Sequence, residues 1–177
     1  MSGSDLVRRR AYEELTERLR NAPSGDSEAF VNLAWSALAT SGVSWIGFDR
    51  VADDYQSMVL EQCRDHPACS PIGMPGVCGH AVRRGRTRDI ANVSDLGAEY
   101  VACDPRDRSE IVIPIRTLSP SGSRVDRALD LDSFGLGSFS DLDDSYFKVA
   151  LKIVGFAPTG GSPWATLSLD DSRIRPG

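Results

Sequence analysis

Residues 128–132 read Ala-Leu-Asp-Leu-Asp, an alternation with a period of two. Successive side chains of a β-strand leave opposite faces, so Asp130 and Asp132 share one face and Leu129 and Leu131 the other. Two carboxylates projecting together from a sheet can grip an amino group. The same pattern also describes an ordinary strand with one polar face.

Helices able to cover the apolar face are written elsewhere in the chain. Residues 5–20 carry Tyr12, Leu15 and Leu19 on one stripe and stop at the breaker Asn21-Ala22-Pro23-Ser24-Gly25. A second helix starts at Asp26 or Ser27, both good N-cap types, with Phe30, Leu33, Ala34, Ala37 and Leu38 at helical spacing. After Ser41-Gly42, residues 43–48 read as a strand, with residues 57–60 as its hairpin partner. Residues 61–76 hold three prolines and two cysteines and predict an irregular, functional loop. A short helix over 77–84, a weakly structured stretch over 97–103, strands over 110–115 and 128–131, and a helix over 141–154 capped by Ser140 complete the pattern. This order predicts an α+β fold, an antiparallel sheet with helices on one face. Cysteine-bearing loops would cross the other face and form a pocket. One domain is expected over 1–156, followed by an irregular tail over 157–177.

A net charge of −5 argues against a nucleic-acid groove. No apolar run approaches the roughly 20 residues of a membrane span, and no apolar segment follows Arg8-Arg9-Arg10 to make a secretory signal. The chain therefore reads as cytoplasmic, where structural disulfides are rare and cysteines are buried, metal-bound or redox-active. All four cysteines (63, 69, 78 and 103) fall in the central third.

Cys103 stands seven residues before Glu110, which opens a β-branched strand. A thiolate nucleophile needs a proton source for the atom it displaces, and a nearby carboxyl suits that task. An exposed loop cysteine beside ordinary surface acids has the same spacing. Cys69 and Cys78 flank a Pro- and Gly-rich loop with the freedom to carry a thiol to a distant nucleophile. Cys63, His66 and Cys69 have Cys-x2-His-x2-Cys spacing, with Cys78 as a fourth zinc ligand in a competing reading that leaves Cys103 unexplained.

Trp45-Ile46-Gly47-Phe48, Gly76-Val77-Cys78-Gly79, the stretch from Cys103 to Pro114, Leu129-Asp130-Leu131-Asp132-Ser133 and Phe139-Ser140-Asp141-Leu142-Asp143 follow one another in a familiar order. In that order they resemble the free methionine-(R)-sulfoxide reductases, stand-alone GAF domains, over residues 12–147. The resemblance implies that Cys103 attacks the sulfoxide and becomes a sulfenic acid. It implies that Cys69 is the resolving cysteine, that Cys78 is an auxiliary thiol, and that thioredoxin is the reductant. Glu110, Asp130 and Asp132 would bind the substrate's amino group or transfer protons, and Trp45 would wall the methylsulfinyl group. Arg106 or Arg108 would lower the Cys103 pKa. No metal or organic cofactor is expected, and a homodimer is left open. Asp49 stands where the family usually has an aromatic, so a pocket wall is expected to be missing there. His80, the long 114–130 loop and the segment after 157 are further departures. A non-catalytic GAF sensor, or a relative recruited to another small amino-acid or thiol substrate, are the alternatives.

Overall fold

The computed structural model describes residues 3–66, 68–100, 103–119 and 121–160. Helices α1 (Gly3–Leu19) and α2 (Ser27–Leu38) come first, followed by strands β1 (Trp45–Val51), β2 (Ser57–Arg64) and β3 (Ile72–Gly73). Helix α3 (Val77–Arg84), strands β4 (Arg88–Ile90), β5 (Ser109–Leu118) and β6 (Arg124–Ser133), and helix α4 (Asp141–Ile153) complete the set. The six strands form one antiparallel sheet in the order β3-β2-β1-β6-β5-β4. No helix among the described residues is long and apolar enough to cross a membrane.

The period-two pattern sorts the two faces as expected. Leu129 and Leu131 join Ile46, Phe48, Ile111 and Ile113 in a core closed by α1, α2 and α4. Tyr12, Leu15 and Leu19 of α1 are buried there, and so are Phe30, Ala34 and Leu38 of α2. Asp26 caps α2 by accepting the Ala29 N–H at 2.9 Å, and Ser140 occupies the N-cap of α4.

Three features differ from the sequence reading. Strand β2 runs on to Arg64 and β3 pairs with it, so the stretch expected to be irregular carries sheet. Strand β4, which was not anticipated, pairs with β5 at the far edge. Helix α3 lies on the pocket face, where Ala81 and Val82 pack with Met58, Val112 and Ala128. These edge segments take their conformation from pairing with a neighbour rather than from alternation of their own.

A short 3-10 segment spans Val93–Glu99, and positions 101 and 102 of the stretch read as weakly structured lie outside the described residues. After α4 the chain runs beside β5, with Arg116 N–H donating to Ala157 O at 2.9 Å and Thr159 N–H to Pro114 O at 2.8 Å. Residues 161–177, most of the expected tail, also lie outside the described residues.

Candidate active site

The second face of the sheet presents the chemistry. Strand β6 turns Asp130 and Asp132 outward, β5 contributes Glu110 opposite Asp132, and β1 contributes Trp45 and Asp49. With Cys69, Cys78 and Cys103 these residues line one cavity of about 70 Å3, so all seven residues singled out from the sequence meet there. Tyr100 and Asp107, which the sequence reading passed over, also line it. A wider open groove of about 740 Å3 lies beside α1 and the loop before α4 and has no cysteine in its wall.

Within the cavity, carboxylate oxygens of Glu110, Asp130 and Asp132 lie within 4.8 Å of one another. Buried Cys78 donates its thiol hydrogen to Asp130 Oδ2 at 3.3 Å. Asp130 Oδ1 is buried and has no hydrogen-bond partner among the described residues. Asp107 is held by the Ser44 hydroxyl at 3.0 Å. Cys69 and Cys103 are exposed free thiols in the same cavity wall. The Trp45 indole donates to His66 O at 2.9 Å and lies over Gly47, where an added Cβ would come within 2.2 Å of the ring.

Five acids (Asp49, Asp107, Glu110, Asp130 and Asp132) line the cavity, and among the described residues no Lys, Arg or His does. Loss of solvation, reinforced by the charges of neighbouring acids, pushes Glu110, Asp130 and Asp132 well above the usual carboxylate range. Asp49 is raised to about 7, by burial first and by Glu61 second. Such surroundings favour the protonated form of each acid, and a cation bound among them would favour the charged form.

Several expectations need correction here. Partial desolvation by the surrounding walls, with the Cys69 thiol next in effect, pushes the Cys103 thiol up to about 12 rather than down, although the residue is exposed overall. Arg106 instead binds Asp104, Nη2 to Oδ2 at 2.6 Å, and lies 4.6 Å over the Phe134 ring. No three of Cys63, His66, Cys69 and Cys78 bring ligand atoms within 4.8 Å of one another, so the four-ligand zinc reading fails. Cys63 Sγ points to His66 O at 3.5 Å, while His66 sits against Asp65 and Asp104. Asp49 is not a gap in the wall but a buried acid within it, 3% exposed.

Comparison with known proteins gives the family. No family model matches the chain. Free methionine-R-sulfoxide reductase of Escherichia coli is 32% identical over 139 residues, covering 75% of this chain and 79% of that protein. This chain belongs to the free methionine-R-sulfoxide reductase family. The family's Neisseria meningitidis member, solved in complex with its substrate, superposes with a TM-score of 0.66 at 28% identity, covering 87% of this chain and 89% of that one. A solved GAF domain superposes with a TM-score of 0.69 at 24% identity, covering 87% and 90%. The GAF-type α+β fold expected from the residues is therefore the fold observed. Within the free methionine-R-sulfoxide reductase family, this chain presents a cavity with one acid more on β1 than its motifs led us to expect.

Proposed function

We propose that this chain reduces free methionine-(R)-sulfoxide to methionine with Cys103 as nucleophile and Cys69 as resolving thiol. One observation carries the reading: Cys103 and Cys69 line one cavity together with five acids, and among the described residues no cationic side chain lines it. The names of the relatives, among them a yeast free methionine-R-sulfoxide reductase, support the substrate.

A free amino acid brings an α-ammonium group, and Glu110, Asp130 and Asp132 are placed to surround it. Methionine within a peptide has no such ammonium to offer these acids. The methylsulfinyl end then lies against the Trp45 indole, toward Cys103. A carboxyl held protonated by burial, Glu110 or one of the Asp130/Asp132 pair, gives its proton to the sulfoxide oxygen. Cys103 sulfur takes that oxygen as the S–O bond to the substrate breaks, and the thiol proton returns to the acid set. The products are methionine and a Cys103 sulfenic acid. Cys69 sulfur attacks the sulfenic acid, the S–O bond breaks, water leaves, and a disulfide forms. Thioredoxin, or another dithiol of its class, supplies two electrons and two protons to restore both thiols. Such recycling belongs in a reducing compartment, so the cytoplasm is the proposed location. Cys78, buried against Asp130, stays in reserve.

The test is turnover of the separated R and S epimers of free methionine sulfoxide by the reduced protein, with thioredoxin as donor. Consumption of the R epimer alone is expected, and Cys103→Ser is expected to abolish it. Failure to turn over either epimer with verified free thiols would leave the sensor or recruited-relative alternatives standing. Mass spectrometry after one turnover is expected to find Cys103 joined to Cys69, whereas a link to Cys78 would reassign the resolving role.

A further inference from the structure

We propose that Asp49, Cys78 and Asp130 form a binding site for a borderline divalent transition-metal cation of the Zn2+ class. The three come from different elements: Asp49 from β1, Asp130 from β6, and Cys78 from the first turn of α3. All three are buried, and each offers a ligand atom within 4.8 Å of the other two. Zn–S of about 2.3 Å and Zn–O of about 2.1 Å in a tetrahedron put sulfur and oxygen about 3.5 Å apart. Cys78 Sγ already stands 3.3 Å from Asp130 Oδ2, so that pair needs almost no movement.

A second observation points to a missing ligand. Asp130 is only 9% exposed, yet its Oδ1 is buried without a hydrogen-bond partner among the described residues. A native fold rarely leaves such an atom unsatisfied unless something outside the chain completes it. The Asp49 carboxyl, 3% exposed, likewise makes no hydrogen bond among the described residues. Among the described residues nothing cationic lines the cavity to satisfy either one.

The donor set selects the ion. A thiolate with two carboxylates suits a borderline cation and disfavours Mg2+ and Ca2+, which prefer oxygen alone. Three protein ligands leave a fourth position for water, and Glu110 and Asp132, within 4.8 Å of Asp130, can accept that water's hydrogen bonds. Position 78 is held firmly, because a Cβ on the next residue, Gly79, would come 2.1 Å from Met74 O. Binding releases the Cys78 thiol proton and whatever protons the two carboxyls hold, with no change of oxidation state. The cation and an ammonium-bearing substrate would compete for Asp130, a consequence that rests on the proposed function. The site itself does not.

Cobalt titration of the reduced full chain tests the proposal without reference to activity. One equivalent of Co2+ is expected to bind with a thiolate-to-cobalt charge-transfer band. A variant with Cys63, Cys69 and Cys103 all changed to Ser leaves Cys78 as the only thiol, and it is expected to keep the band. Cys78→Ser is expected to lose it, and Asp49→Asn to weaken binding at least about tenfold. No band in the single-thiol variant, or undiminished affinity in Asp49→Asn, would overturn the site even if Cys78→Ser failed to fold.

Discussion

Asp130 divides its two oxygens unequally, Oδ2 receiving the Cys78 thiol and Oδ1 receiving nothing. An unsatisfied buried polar atom costs about 1–3 kcal/mol, a cost that a bound ammonium removes. A charge-assisted contact of that kind is worth about 1.5–3 kcal/mol, so Asp130→Asn is expected to raise KM for the free sulfoxide by about 10- to 100-fold. Oxidation of Cys69 and Cys103 to their disulfide by diamide should proceed in this variant as in the parent, since neither sulfur is altered. Steady-state kinetics beside thiol counting separates the outcomes, and an unchanged KM would remove Asp130 from substrate binding. Asp49 shares the wall with Asp130 and meets Cys78 from the neighbouring strand β1, so it belongs to the same acid cluster.

Strand β1 shows how closely an element can be built around one side chain. The Trp45 indole folds back over Gly47, two residues along the same face, and its N–H reaches His66 O. A methyl group at 47 would meet the ring at 2.2 Å, so the indole must swing out and lose that hydrogen bond. Gly47→Ala is expected to cost about 1–3 kcal/mol, the range for overpacking, with a lower melting temperature and a shift in tryptophan fluorescence. Unaltered fluorescence would mean that the indole is held elsewhere. Strands and helices with a pattern of their own were legible in the sequence: the stripe of Tyr12, Leu15 and Leu19, the Asp26 cap, and the alternation around Asp130. The far half of β2, and β3 and β4, were not, because short or polar edge segments are shaped by their partners. The same parity that joined Asp130 to Asp132 also puts Trp45 and Asp49 on one side of β1, so the role of Asp49 was available from the strand alone. That Glu110 faces Asp132 was not available, since register between strands is a tertiary fact.

At the scale of the whole molecule, a cluster of buried acids ties folding to pH. Asp49 is raised from the usual value near 4 to about 7, and Glu110, Asp130 and Asp132 are raised by the same causes. Between those two values the folded chain holds a proton at Asp49 that the unfolded chain has released. Its contribution to stability is therefore complete below about pH 4 and is lost as pH rises through about 7, the reverse of an acid held in a salt bridge. Desolvation is the first cause and Asp49 is almost fully buried, so the effect is on the order of 4 kcal/mol across the window. Urea unfolding from about pH 5 to about pH 8 is expected to show a falling midpoint, with Asp49→Asn flattening the fall. A ligand ammonium takes the place of the lost protons, so added methionine should stabilise the protein more at the upper end of that range than at the lower. A midpoint that holds steady or rises with pH would show that the cavity does not store protons in the folded state and that its acids are ionised before any substrate arrives, and one that falls equally in Asp49→Asn would assign the stored proton to the neighbouring acids instead of Asp49.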